Sequence, residues 1–352
     1  MNKSVSVVAA VIAVEGAFVA GALGIVQYTV VDIGLSRPDQ IASINNQGMV
    51  AFTAPGGAAT WLNGTTTILP LGGSTSGLLA INGNGDVAGY GTGGAIAYVS
   101  GSVVSIGPVI GGGGQAVGIN DSGAAAVIGP INSRAYYYHG GSATLLTPAG
   151  TGAWVAGINN AGQVCGAGQL TSSSYRAFIW QGGSFTQVTP SSVPATEFSG
   201  AYAINQLGAV AGAFDIQTIN EGSQAFVRTS NGLFTILPHA TDSNLNRPWS
   251  LNAANTVVGF ERQVTGGWRA LLWPSDGQSV IKLTDYVNAP GWIFEQATGI
   301  NDAGQIVGYG TLNGVTHAFL LNPVPAPTPL MIGAAACALW APRRRRASCP
   351  RD

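Results

Sequence analysis

Residues 299–310 read GINDAGQIVGYG, and degraded copies of that stretch recur upstream. SINNQGMVAF (43–52), AINGNGDVAGYG (80–91), GINDSGAAAVIG (118–129), GINNAGQVCGAG (157–168) and AINQLGAVAGAF (203–214) keep its skeleton. Anchoring on the Ile-Asn pair gives Asn45, Asn82, Asn120, Asn159, Asn205 and Asn301, with Leu251-Asn252 filling the one gap. The spacings are 37, 38, 39, 46, 47 and 49 residues. Units of about 43 residues have the length of a four-stranded propeller blade.

The turn chemistry inside a unit is legible. Asn opens a four-residue stretch that ends in Gly48, Gly85, Gly123, Gly162, Gly208 or Gly304. An Asn side chain can bond back to its own turn, and Gly supplies a left-handed residue at a hairpin bulge. In the sixth unit Asn255 replaces the Gly. Asn is the other residue that tolerates that conformation, so geometry is what is being kept. A second strand with small residues follows, then HAFLL (317–321), echoed by RAYYY, RAFIW, QAFVR and RALLW. Ala135, Ala177, Ala225, Ala270 and Ala318 share one place, where a small side chain lets neighbouring sheets approach.

Fourth strands such as TTTILP, SATLLTP and LFTILP close most units, but the last unit lacks one. YTVVDIGL (28–35), ahead of the first Ile-Asn pair, reads like the missing strand. These features predict an all-β fold over residues 27–322, a seven-bladed β-propeller whose N-terminal strand completes the last blade. A linear solenoid is the alternative, but it leaves that strand without a use and needs caps at both ends.

The ends differ from the body. Residues 1–22 combine Lys3, a mostly apolar run from Val5 to Val14, and Ala20-Gly21-Ala22. That is the layout of a secretory signal peptide. An uncleaved anchor would place Glu15 mid-span, at about 2.5–3.5 kcal/mol. Residues 323–352 hold a Pro-rich spacer, an apolar stretch from Leu330 to Ala341, and Arg343, Arg344, Arg345 and Arg346. Twelve helical residues cover about 18 Å of a hydrocarbon core of about 30 Å. That is short for a permanent span, and the run of arginines after it fits the cytoplasmic stop of a short membrane anchor.

Setting the ends aside leaves eight basic against 13 acidic residues, a net charge of −5. That excludes nucleic acid as a partner. Cys165 is the one cysteine of the body and stands where sister repeats carry Ala88 and Val307, so it reads as a small core residue. No His cluster or Cys pair suggests a metal, and no cofactor motif is present: GGGG at 111–114 lacks the Lys and Ser/Thr of a phosphate loop.

The alternation of GINDAGQIVGYG with HAFLLNP resembles the HAF-type extracellular repeat proteins, over essentially the whole body. The resemblance implies export and often a PEP-CTERM tail. It carries over no catalytic residue. The tail itself, with Pro325, Pro327 and Arg343–Arg346, is similar to the PEP-CTERM sorting signal, although Ala326 stands where that family has Glu. The similarity implies a membrane processing enzyme as a partner.

In an antiparallel blade the turns after strands one and three lie on one face. The other face takes the loops between strands two and three and those from blade to blade, and there the segments are lengthened at 191–200, 215–223, 239–250, 261–268 and 285–296. They hold Glu197, Asp215, Glu221, His239, Asp242, Arg247, Trp249, Glu261, Arg262, Trp268, Trp292 and Glu295, the candidate binding residues. His317 shares a place with Arg134 and Arg176 and reads as a polar strand residue. Trp249 and Trp292 sit in Pro-containing segments and either stack on sugar rings or plug the rims of their own blades. Two function classes follow, with a monomer expected. One is a non-catalytic surface or matrix protein binding a glycan or a surface protein. The other is an extracellular polysaccharide hydrolase or lyase using Glu197, Glu221, Asp242 and Glu261.

Overall fold

Asparagine at the head of each repeat commits the chain to a tight hairpin, and hairpins account for nearly all of the structure. The computed structural model describes residues 27–324 apart from 38–40, 73–74, 131–133, 149–151, 171–173, 217–221, 241–242 and 265. The expected leader, the tail with Pro325, Pro327, Arg343, Arg344, Arg345 and Arg346, and the candidates Glu221 and Asp242 lie outside the described residues. Among the described residues no helix is long and apolar enough to cross a membrane.

The strands pair as antiparallel meanders of four. They run Ser43–Ile44, Val50–Ala54, Gly57–Leu62, Thr65–Ile68; then Gly77–Ile81, Val87–Gly91, Gly94–Val99, Ser102–Ser105; then Gln115–Ile119, Ala125–Ile128, Ala135–His139, Ser142–Leu146; then Ala153–Ile158, Val164–Gly168, Arg176–Gln181, Ser184–Gln187. Two further meanders are Ser199–Ile204, Val210–Ile216, Gly222–Arg228, Phe234–Ile236 and Ser243–Leu251, Val257–Gln263, Trp268–Trp273, Ile281–Lys282. A single parallel pairing, Ser223 with Leu245, merges these two into one eight-stranded sheet. The last sheet takes Trp292–Ile300, Ile306–Leu312 and Val315–Pro323 from the C-terminal end and Tyr28–Leu35 from the N-terminal end. Tyr28 pairs with Pro323 and Leu35 with His317, so the first of the described strands completes the last sheet. In the sixth meander the expected fourth strand shrinks to two residues before a helical turn at Leu283–Tyr286.

The seven asparagines do two jobs. Each Oδ1 accepts the backbone N–H four residues on, from Met49, Asp86, Ala124, Gln163, Ala209, Thr256 and Gln305, at 2.8–3.0 Å. Each Nδ2 donates to the backbone carbonyl of the next asparagine. Asn45 reaches Asn82 (3.1 Å), Asn82 reaches Asn120 (2.9 Å), and Asn120 reaches Asn159 (3.1 Å). Asn159 reaches Asn205 (3.1 Å), Asn205 reaches Asn252 (2.9 Å), and Asn252 reaches Asn301 (3.3 Å). Asn301 then returns to Asn45 at 3.0 Å. None of the seven is more than 7% exposed.

The same circuit appears in the packing. The first strand of each meander touches the first strand of the next, and Trp292–Ile300 touches Ser43–Ile44. Hydrophobic core is distributed between neighbouring sheets rather than gathered at one centre. Tyr136 and Tyr138 pack with Ala95 and Ile106, Phe178 and Trp180 with Ala124 and Ala126, and Trp273 with Ala211 and Ala225. Val50, Phe52 and Trp61 pack with Val307, Ala318 and Leu320, joining the first sheet to the last.

Small residues let the sheets meet. Ala135, Ala177, Ala225, Ala270 and Ala318 are fully buried. Their backbones come close enough to bond side chains of the following meander: Ala177 N–H to Ser199 Oγ (3.1 Å) and Ala225 N–H to Asn246 Oδ1 (2.8 Å). Cys165 is likewise fully buried, and burial pushes its thiol up to about 12. At the turns Asn255 adopts φ +63°, beside +77° for Gly48 and +76° for Gly304, so the exchange of Gly for Asn does preserve a left-handed residue.

An aspartate at the ring position keeps the acceptor but loses the donor, and turns a carboxylate towards a buried carbonyl. Asn159→Asp is expected to cost about 3 kcal/mol or more at pH 7, and Asn159→Ala about 1–3 kcal/mol. The facing carbonyl raises the introduced carboxyl's folded pKa, so its penalty shrinks as pH falls through that value and the neutral acid donates in place of the amide. Denaturant unfolding of both variants between pH 7 and pH 3.5 checks this. A cost of Asn159→Asp that does not change with pH would contradict it.

Candidate functional site

Each first strand runs from the connecting segments towards its Asn turn, so the Asn turns share one face and the longer connections the other. The asparagine face is uniform because the ring constrains it. The opposite face is where units differ.

Along the first strands a register shift recurs, between Leu78 and Ala80, Ala116 and Gly118, Val155 and Gly157, Ala201 and Ala203, Pro248 and Ser250, and Ala297 and Gly299. Such a bulge leaves one residue outside the ladder and re-aims it. The second strand presses closely there: a Cβ on Gly166 would lie 2.0 Å from the Trp154 carbonyl oxygen. The extra residues are Leu79, Val117, Ala156, Tyr202, Trp249 and Thr298. Only the neighbouring fifth and sixth meanders put an aromatic ring at this place.

Around Tyr202 three meanders contribute to one group. The Trp154 ring lies 5.3 Å from the Tyr202 ring, tilted by 43°. Trp154 rests against Gly200, where an added Cβ would meet Cζ2 at 2.6 Å. The Arg247 guanidinium, from the next meander, sits over Tyr202, 5.5 Å from its centroid, a cation–π contact. Burial raises the Tyr202 hydroxyl's pKa, while Arg247 acts to lower it and Asp215 to raise it. Asp215 is pushed up by partial desolvation, against the pull of Arg247. Trp249 lies 5.6 Å from the buried Phe260, which meets Trp268 edge-on at 5.2 Å.

Most of the residues expected on loops lie on strands. Arg247, Trp249, Glu261, Arg262, Trp268, Trp292 and Glu295 extend paired hairpins, and Asp215 ends one. Pro248 and the surrounding charges read as a loop, but the proline sits at a bulge, where a strand tolerates it. Glu197 and His239 are on connections. Glu261 is fully buried. Its Oε1 takes a hydrogen bond from Arg269 Nε at 2.6 Å and a second contact from Nη2, while its Oε2 has no partner among the described residues. Glu197 is buried too, its backbone carbonyl held by Arg176 at 2.8 Å. Trp292 stacks on Phe294 at 5.5 Å and meets His317 and Phe319 edge-on, filling the rim of its own sheet. His317 pairs with Asp32 of the closing strand at 2.9 Å. Arg262 and Trp268 are exposed, and burial raises the Glu295 carboxyl and lowers the half-buried His239 imidazole.

Sequence reasoning missed Trp154 and Tyr202. The signal was available: Trp154 precedes Ile158 by four residues, as Arg247 precedes Leu251, and Tyr202 and Trp249 both precede their anchors by two. Two shallow grooves of about 370 and 360 Å³ lie elsewhere, one beside Gln163, Gln181 and Arg228 on the asparagine face, the other beside Arg176, Pro190 and Val193. Among the described residues no three His, Cys, Asp or Glu side chains come together as metal ligands.

No protein-family profile and no curated protein matches the sequence. Solved structures do resemble the fold. A streptogramin B lyase aligns at a TM-score of 0.52 with 13% identity, over 85% of this chain and 98% of the other. A catalytically inactive virginiamycin B lyase from Staphylococcus aureus, bound to quinupristin, gives 0.50 and 13% over 85% and 100%. The Aleuria aurantia fucose lectin, a six-bladed β-propeller, reaches 0.35 with 11% identity over 76% and 98%, too distant to bear on this chain. The protein is a β-propeller. At these identities the likeness concerns fold alone.

Removing Arg269 strands the buried Glu261 carboxylate. Arg269→Met is expected to destabilise by about 3–5 kcal/mol, and Glu261→Met in the same chain to recover most of it. Denaturant unfolding of single and double variants measures this, and a harmless single variant would contradict the pairing.

Proposed function

We propose that this chain is an exported, surface- or matrix-associated seven-bladed propeller that binds a glycan on the face opposite the asparagine turns and does no chemistry on it. The blade count is supported by the circuit of asparagine bonds and by the packing of the first sheet on the last. Export and C-terminal processing rest on the leader and on the tail's likeness to a sorting signal.

The observation that carries the binding reading is the aromatic and cationic group of Trp154, Tyr202 and Arg247 on consecutive first strands. Aromatic faces stack on sugar rings, and a rigid strand holds them at low entropic cost. The described carboxylates favour binding over hydrolysis. Glu261 is committed to Arg269, and Glu197 is buried in a connection, so neither offers the open acid–base pair that glycoside cleavage needs.

Residues 23–324 incubated with neutral and acidic polysaccharides test this, with co-sedimentation and polymer length read from the same samples. Retention without shortening is expected, weakened at least tenfold by Trp154→Ala. Shortened polymer would overturn the reading in favour of an enzyme. Absence of any retention would move it to a protein partner.

A further inference from the structure

Arg247 differs from Arg176 and Arg269, two other arginines near this face that are not exposed. Arg176 donates to the carbonyls of Val193, Pro194 and Glu197, and Arg269 is bound to Glu261. Arg247 donates no hydrogen bond to any described residue, and its Nε is buried without a partner. The side chain is half-buried and its guanidinium lies on the Tyr202 ring. A buried guanidinium N–H without an acceptor is costly unless something supplies one. Asp215 is near enough to influence Arg247 electrostatically, yet the two form no ion pair.

We infer that Trp154, Tyr202 and Arg247 form a subsite for an acidic sugar, a uronate whose carboxylate pairs with the Arg247 guanidinium while its ring lies on the aromatic side chains. This rests on the glycan-binding reading above and narrows it to a ligand class. The planar guanidinium matches a carboxylate bidentately, and the Tyr202 ring beneath it fixes its plane. Asp215 beside it supplies an acceptor for a sugar hydroxyl. The same carboxylate, on a body of net charge −5, repels multiply charged ligands such as phosphate chains and nucleic acid. One negative charge per ring, carried on an otherwise hydroxylated face, is the chemistry that satisfies all three side chains. Gly200 belongs to the arrangement because any side chain there would displace the Trp154 indole.

The test uses the full chain and matched polymers: polygalacturonate, alginate and hyaluronan, each alongside its methyl ester, which has the same backbone without the charge. At least one acid form is expected to bind tenfold or more tightly than its ester, and to quench tryptophan fluorescence. Arg247→Gln should erase that preference, bringing acid and ester to equal affinity, and Arg247→Lys should restore part of it. Should Arg247→Gln lower the melting temperature, the wild-type salt dependence decides: raising NaCl from 50 to 500 mM must weaken the acid and spare the ester. Equal binding of acid and ester, or a preference that survives Arg247→Gln, would overturn the inference and leave the glycan reading standing. Binding of neither form, in protein that also retains no neutral polysaccharide, would remove both.

Discussion

One side-chain amide per repeat holds this molecule in register. The requirement is strict because the amide is used at both ends: the oxygen closes its own turn and the nitrogen reaches the next repeat's carbonyl. Aspartate has no donor and glutamine is a methylene too long for the same turn. Around the circuit every link is buried, so each is stronger than in water and each is expensive to leave unmade. The consequence is an inner ring fixed to within 2.9–3.3 Å at every joint.

That constraint acts on the turns and leaves the remainder of each repeat free. Repeat spacing runs from 37 to 49 residues while the ring distance hardly changes. Extra length goes into connections and hairpin extensions on the opposite face, above all in the fifth to seventh meanders. The C-terminal end leaves from the constrained face: Gln305 of the last Asn turn bonds Asn322 at 2.7 Å, and Val324 N–H reaches the Gln27 carbonyl at 2.7 Å. Val324 therefore lies on the side away from Tyr202 and Arg247.

Much of the fold was legible because it is written in backbone chemistry. Asn255 in place of glycine disclosed a left-handed turn residue, and the orphan strand at 28–35 pointed to completion of the last sheet. The donor half of the asparagine amide was not legible, since its partner lies 37–49 residues away, or at the other end of the chain. The site was less readable still. Glu261 looks like any loop carboxylate until the hairpin register sets it opposite Arg269. Trp292 looks like a sugar platform until Phe294 and His317 are found against it. Trp154 and Tyr202 were passed over because short first strands look like scaffold, and only the register shows that Tyr202 leaves the ladder while Trp154, paired with Ala167, stays in it. Residue type proposes a chemistry, but register decides which side chains can meet.

The central claim is that the asparagine links run in a closed circuit, and its most direct test compares two joints. Asn159 lies within the row, whereas Asn301 makes the link that joins the last repeat to the first. Denaturant unfolding of Asn159→Ala and Asn301→Ala should give losses that agree within about 0.5 kcal/mol, each of about 1–3 kcal/mol. A full loss at Asn159 with a much smaller one at Asn301 would mean that the row is open, and would contradict the account.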